Sequence, residues 1–207
     1  MKKIVILLLI TLFSILSNKT WSQTDSLQTE KPIPILLYAG LGGGMNTRGG
    51  NFDLSLTITS LGGTGGSFHY TPGIVALKNV PEDYYKGFLR TTPMHTFNAF
   101  SLNFVQKFSY PKGFFRLGFE AGPSWIKYKL VELKINPDWP DLFQYKYDKI
   151  YSIESTIGGF VAIKAEFPFL SFFGCDLSLF SILNDIQNVV GFDFCINLGL
   201  VNPNKIK

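Results

Sequence analysis

The sequence predicts an all-β fold, an eight-stranded antiparallel up-and-down transmembrane β-barrel, on three observations. Apolar and polar residues alternate with period two in successive segments. Eight such segments are found, and the second, fourth and sixth connections between them are short while the third and fifth are long. Hydrophobic residues make up 46% of the 207 residues and charged ones only 16%, which excludes a disordered chain.

The first 22 residues read as a secretory signal. Met1-Lys2-Lys3 precedes an apolar run from Ile4 to Leu16, and Thr20-Trp21-Ser22 supplies small residues for cleavage before Gln23. The run is too short for the ~20 apolar residues that a membrane anchor needs. Neither Cys175 nor Cys195 stands at the cleavage point, so no lipid-anchored start is expected. Loss of Lys2, Lys3 and Lys19 takes the net charge from +4 to +1. The basic balance therefore belongs to the targeting segment, and nucleic acid, which needs a clustered basic face, is not an expected partner. A polar leader follows at 23–34, then the barrel at 35–201 and a short tail at 202–207.

The expected strands are 35–45, 51–61, 67–78, 95–108, 114–131, 150–167, 171–183 and 189–201. In the second, Phe52, Leu54, Leu56 and Ile58 share one face, with Asp53, Ser55, Thr57 and Thr59 on the other. In the fifth, Leu117, Phe119 and Ala121 oppose Arg116, Gly118 and Glu120; in the sixth, Tyr151, Ile153, Ile157, Val161, Ile163 and Phe167 oppose Ser152, Glu154, Thr156, Lys164 and Glu166. The last strand sets Phe192, Phe194, Ile196, Leu198 and Leu200 against Gly191, Asp193, Cys195, Asn197 and Gly199. Pro72 and Gly73 make the third strand the least regular. Gly62–Gly66, Ser109–Gly113 and Pro168–Leu170 are the short connections; the first and seventh have about five residues; 79–94 and 132–149 are the long ones.

A soluble lipocalin-like barrel would bury the apolar face, whereas a membrane barrel turns it outward onto lipid. The polar faces carry small residues and few charges, as a narrow eight-strand interior requires. Aromatics gather at strand ends: Phe108, Tyr110, Phe114 and Phe115 at one turn, Phe167, Phe169, Phe172 and Phe173 at another, and Trp125 and Tyr128 toward the opposite end. The membrane orientation is the expected one.

With its signal, its eight strands, the Gly-rich Tyr38-Ala39-Gly40-Leu41-Gly42-Gly43-Gly44 and the closing Gly191-Phe192-Asp193-Phe194-Cys195-Ile196-Asn197-Leu198-Gly199-Leu200, the chain resembles the small outer-membrane β-barrels of Gram-negative bacteria, the OmpA/OmpX-type or "porin-family" barrels. The resemblance is one of pattern and covers residues 35–201. It implies an outer-membrane location and a role as anchor, adhesin, lipid-modifying enzyme or part of envelope machinery. Many such barrels end on an aromatic residue, whereas residues 202–207 continue past the last strand here.

No catalytic, cofactor or metal motif emerges. His69 and His95 fall far apart along the third and fourth strands and read as loop-base or girdle residues rather than a shared metal site. Gly65-Gly66-Ser67-Phe68-His69 lacks the last glycine of a nucleophile elbow, and the glycine runs at 40–44 and 62–66 do not complete a phosphate-binding pattern. The expected inward charges are Asp53, Arg116, Glu120, Glu154, Lys164, Glu166, Asp176 and Asp193. Arg116 should meet Glu166 near one end, with Glu120 and Lys164 a pair higher, forming a packed polar plug in preference to an ion path. Cys175 has outward parity and Cys195 inward parity, so no disulfide is expected.

The long loops carry recognition chemistry: Trp139, Tyr145 and Tyr147 among Lys134, Asp138, Asp141, Lys146, Asp148 and Lys149, and Tyr84, Tyr85 and Phe88 in the other. The expected protein is a non-enzymatic, monomeric outer-membrane barrel in contact with membrane lipid, offering loops 79–94 and 132–149 to a protein or glycan. The alternatives are a lipid- or lipopolysaccharide-directed enzyme, which needs His69 or His95 beside a serine and an acid, and a soluble exported binding barrel.

Overall fold

The computed structural model describes residues 35–81, 84, 92–109, 115–137 and 146–201. The signal, leader and tail assigned from the sequence lie outside these residues. Eight strands are present: β1 (Ile35–Asn46), β2 (Gly49–Ser60), β3 (Thr64–Ala76), β4 (Met94–Ser109), β5 (Arg116–Ile135), β6 (Tyr147–Phe167), β7 (Phe173–Leu183) and β8 (Val189–Leu200). Each pairs antiparallel with its neighbour, and β1 closes on β8. Closure leaves no free edge along the body of the barrel. One end carries the connections 47–48, 77–93, 136–146 and 184–188; the other carries 61–63, 110–115 and 168–172.

The boundaries differ from expectation where side-chain parity is silent. Gly65 and Gly66 belong to β3, paired with Thr59 and Ile58. A glycine has no side chain to show a face, so the second turn shrinks to 61–63. Gly63 there has φ 88°, and a Cβ would collide with the Lys107 carbonyl. The first connection is Thr47-Arg48 alone, because Asn46 already pairs with Gly49. Asn46 fixes it: its Oδ1 accepts the Arg48 amide at 3.1 Å and its Nδ2 donates to the Ile74 carbonyl at 3.0 Å. At the seventh connection Asn184 Oδ1 accepts the amides of Ile186 (2.9 Å) and Gln187 (2.8 Å).

Two prolines sit within strands without ending them. Pro72 keeps its β4 pairing, but the β2–β3 ladder skips from Asn51↔Gly73 to Leu54↔Tyr70. Pro123 keeps its β6 pairing, while the β4–β5 ladder skips from Ser101↔Ser124 to Phe104↔Ala121. The missing N–H costs a bond on one side only.

The fifth connection is shorter than expected because β5 and β6 run on, paired through Ile135↔Tyr147. β6 meets β7 only from Gly159, so the upper parts of β5 and β6 project as a two-stranded ribbon. Both faces of that ribbon are largely exposed, which removes the clean alternation a half-buried strand shows.

Around the body, the outward residues are apolar and exposed: Leu41, Leu54, Leu56, Ile58, Phe68, Leu102, Phe119, Ile163, Leu179, Phe194 and Leu198 among them. The inward parity is buried. The lumen divides into two. Its half toward the long connections is apolar, packed from Val75, Phe97, Ala99, Ile126, Tyr128, Phe160, Ala162, Phe180, Ile182 and Val189. This corrects the expectation of a polar interior throughout. It also moves Tyr128 from the girdle to the lumen, since Tyr128 shares the parity of Glu120 and is fully buried.

Candidate functional site

The half of the lumen toward the short turns holds two layers of ions, and β5 supplies a charge to each. In the lower layer Glu166 of β6 faces Arg116 of β5 in register. Glu166 Oε1 lies 2.7 Å from Lys107 Nζ and also accepts the Tyr38 hydroxyl, while its Oε2 lies 3.5 Å from Arg116 Nε. Lys107 also touches the Tyr38 hydroxyl and lies 4.4 Å from the Tyr38 ring centre. Arg116 Nη2 donates to the Val201 carbonyl at 2.7 Å, tying the last strand to the plug.

The upper layer centres on Glu120. Lys164 Nζ lies 3.1 Å from its Oε1, while His69 Nε2 (2.7 Å) and Ser67 Oγ (2.9 Å) share its Oε2. His69 Nδ1 is 3.1 Å from both oxygens of Asp53, which also accepts Thr71 Oγ1 at 2.9 Å. The His69 ring then stacks on Phe160 at 5.0 Å, and Phe160 on Phe180 at 6.2 Å, which is where the polar half gives way to the apolar one. Asp176 is held by Asn197 Nδ2 at 2.7 Å and Asp193 by Asn51 Nδ2 at 2.5 Å. These groups are almost wholly buried, and charges in such surroundings persist only when paired and hydrogen-bonded.

The expected pairs Arg116–Glu166 and Glu120–Lys164 are therefore present, and Asp53, Asp176 and Asp193 are inward and buried. Glu154 is the exception. It lies on the projecting ribbon and is exposed. His69 is a central lumen residue, not a girdle one, for it shares the parity of Ser67 and Thr71. His95 does sit at a loop base, accepting the Val131 amide at 3.0 Å. The two histidines stay apart: His69 pairs with Ser101, and His95 with Val75. Lys107 and Tyr38 were not singled out, although the parity of Ser101 and Asn103 in β4 already marks Lys107 as inward.

Ser67 and His69 do come together on one carboxylate oxygen with a second acid behind, the constellation a hydrolase would need. The bonding runs the wrong way for it. Ser67 donates to Glu120, and both His69 nitrogens face carboxylates, leaving neither to take the serine proton. No group of three or more His, Cys, Asp or Glu residues among the described residues is arranged to hold a metal ion.

At the long-connection end, Tyr84 is buried and its ring lies 6.1 Å from that of Tyr147. Tyr128 donates to the Gln187 carbonyl at 2.8 Å. Tyr85, Phe88, Asp138, Trp139, Asp141 and Tyr145 lie outside the described residues, as do Tyr110 and Phe114. Cys175 and Cys195 are unbridged, on opposite faces as their parity requires: Cys195 stands opposite Asp176, and Cys175 opposite Ile196.

A closed ring of eight meandering strands, largely apolar outside and with layers of paired ions in half of its lumen, has the architecture of the small OmpA/OmpX-type barrels. The structure is similar to the N-terminal β-barrel domain of Pseudomonas aeruginosa OprF, at 11% identity, 78% of this chain, 95% of that one and a TM-score of 0.49. It is similar also to Ail, the attachment invasion locus protein of Yersinia pestis (10% identity, 79% and 96% coverage, TM-score 0.49), and to Neisserial surface protein A (10%, 80% and 94%, 0.43). No family model matches the chain. No curated protein matches it.

Proposed function

We propose that this chain is a non-enzymatic outer-membrane barrel that holds a rigid, plugged β-scaffold in the bilayer and presents its two long connections outside the cell. The observation that carries this reading is the inverted distribution of polarity. The outward parity around the body of the ring is predominantly aliphatic and aromatic, while the buried ion pairs lie within it. In water such a continuous apolar wall would far exceed the few hundred Å² of exposed apolar patch typical of soluble monomers. In lipid it is the expected surface.

The short turns 61–63, 110–115 and 168–172 then face the periplasm. The connections 77–93 and 136–146, with the β5–β6 ribbon, reach outward to a protein or glycan partner. Support for a non-enzymatic role comes from His69, whose nitrogens are both committed to carboxylates.

Fractionation of cells with a heat-shift gel tests the reading. The expected result is an outer-membrane protein whose compact form unfolds only on boiling, with residues 136–146 cut by protease added to intact cells. Recovery in the soluble periplasmic fraction would overturn it. Lipid composition should not change when the protein is deleted, whereas loss of one modified lipid species would establish the enzymatic alternative.

A further inference from the structure

The buried charges of the lumen do not balance. Among the described residues the buried carboxylates are Asp53, Glu120, Glu166, Asp176 and Asp193, against Lys107, Arg116, Lys164 and His69. His69 counts as a cation here, because both its nitrogens face carboxylates. One negative charge is still left over. The four basic groups stand on the consecutive strands β3 to β6, and all their ion pairs are with Asp53, Glu120 and Glu166. Asp176 of β7 and Asp193 of β8 are held by asparagine amides alone, through Asn197 and Asn51. Asp176 also stands in register with a second carboxylate, Glu166, on one side and with Cys195 on the other.

The polar atoms without partners show the same bias. Outside the ion pairs, the buried side-chain atoms of the described residues that lack a hydrogen bond are all oxygens, Asp176 Oδ1, Asn197 Oδ1 and Thr57 Oγ1 among them. Asn197 donates its Nδ2 to Asp176 Oδ2 at 2.7 Å, and its Oδ1 is turned toward β1. There β1 has no side chain to meet it. Gly40 lies in register between Asn197 of β8 and Ser55 of β2. A Cβ on Gly40 would fall 2.9 Å from Asn197 Oδ1 and would collide with Ser55 Oγ. An amide oxygen and a hydroxyl therefore close on one notch from both sides of β1, with the Thr57 hydroxyl next along β2. Asn197, Asp176, Ser55 and Thr57 are all buried.

We propose that the polar half of the lumen binds one monovalent alkali cation at the notch over Gly40. Asn197 Oδ1 and Ser55 Oγ are its ligands, and Asp176 balances its charge through the Asn197 amide. A buried charge without a counter-charge is costly, and a buried oxygen without a donor adds to that cost. Water alone would satisfy the oxygens and leave the charge. A divalent ion would reverse the imbalance, and such ions gather more oxygens, carboxylates among them, than close on this notch. An all-oxygen donor set of amide and hydroxyl suits a hard cation of single charge. The inference needs only the closed ring and its buried charges, so it is independent of the membrane placement argued above.

The test is urea unfolding of the full chain in detergent micelles, with the folded fraction read from the heat-shift gel. Potassium, sodium and N-methylglucamine chlorides are compared at equal ionic strength and pH. The folded-to-unfolded ratio should rise saturably with either alkali ion, about tenfold once the ion stands at about ten times its dissociation constant. Asp176→Asn removes the surplus charge and keeps an acceptor for Asn197. It should fold in N-methylglucamine as well as the wild type does in potassium, and should lose the ion response. Ser55→Ala keeps every charge and removes one ligand, so it should raise the ion concentration of half-response several-fold. Glu154→Gln, on the exposed ribbon, should respond as the wild type does. Equal wild-type stability in all three salts overturns the proposal, as does a full response in Asp176→Asn. Stability that follows pH and ignores the cation would place a proton on Asp176 instead, and overturns it too. Crystals soaked in rubidium should show an anomalous peak beside Asn197 Oδ1, and a wild-type lumen without one refutes the site. That arm needs no variant, so the proposal stays testable if a substitution impairs folding.

Discussion

At the scale of single residues, Glu120 is the shared partner on which the upper ion layer converges. It receives Lys164, His69 and Ser67, and so joins a lysine, the histidine and a hydroxyl on one carboxylate. Glu120→Ala would leave Lys164 and the His69–Asp53 pair without their shared partner in a buried site, at a cost of about 3–5 kcal/mol. The loss should appear as a lowered urea midpoint for the barrel in vesicles. Because the groups share one partner, Glu120→Ala/Lys164→Ala should cost less than the two single changes added together. Additivity there would show the layer is not one network. Leu56 and Thr57 test the opposite boundary. Leu56 is 52% exposed on the outer wall and Thr57 is 1% exposed within. Leu56→Arg should cost ~2–4 kcal/mol of membrane stability and impair insertion. Thr57→Arg should instead overfill the lumen, giving a barrel that inserts with a loosened plug. Normal insertion of Leu56→Arg would invert the assignment of faces.

At the scale of elements, alternation made β2, β5 and β8 legible, because each has one apolar and one polar or small face. The Arg116–Glu166 and Glu120–Lys164 pairs followed from the same parity. What stayed hidden had a physical cause in each case. Gly65 and Gly66 carry no side chain to reveal a face. Phe160, Phe180 and Ile182 are apolar and inward, so alternation in hydrophobicity vanishes where the lumen itself is apolar. The ribbon ends of β5 and β6, 20 and 21 residues long, are exposed on both sides and lose the signal for the opposite reason. Lys107 was hidden only by its neighbours, since its inward parity is that of Ser101. Parity also governs the last hairpin. Alkylation of denatured, unreduced protein should tag two thiols, because Cys175 lies on the outer wall and Cys195 in the lumen. Two tags appearing only after reduction would mean that β8 has slipped by one residue against β7.

At the scale of the whole molecule, the two halves of the lumen bear on conduction. Ion layers alone can part to admit water, but here they are capped by packed rings. Phe160 lies between His69 and Phe180, and Phe97 meets Tyr128 at 6.1 Å. The Phe180 ring rests on its paired neighbour Gly191, where a Cβ would strike it, so the ring occupies space that glycine leaves on β8. An eight-strand ring is just filled by its side chains, and the apolar half adds a section that water has little reason to enter. The wild-type barrel should therefore show no steady conductance steps in planar bilayers. Phe97→Ala/Phe180→Ala removes rings from both sides of the cap, at about 3–5 kcal/mol each. If the variant folds, the cap alone is breached while Glu120, Lys164, Glu166 and Lys107 still span the lower half. It should remain closed at neutral pH. Conductance should appear only when Glu120→Ala is added, because the ion layer is then broken as well. Steady current through the wild type, or through the double variant, would show that the plug is a gate and would return the ion-path reading.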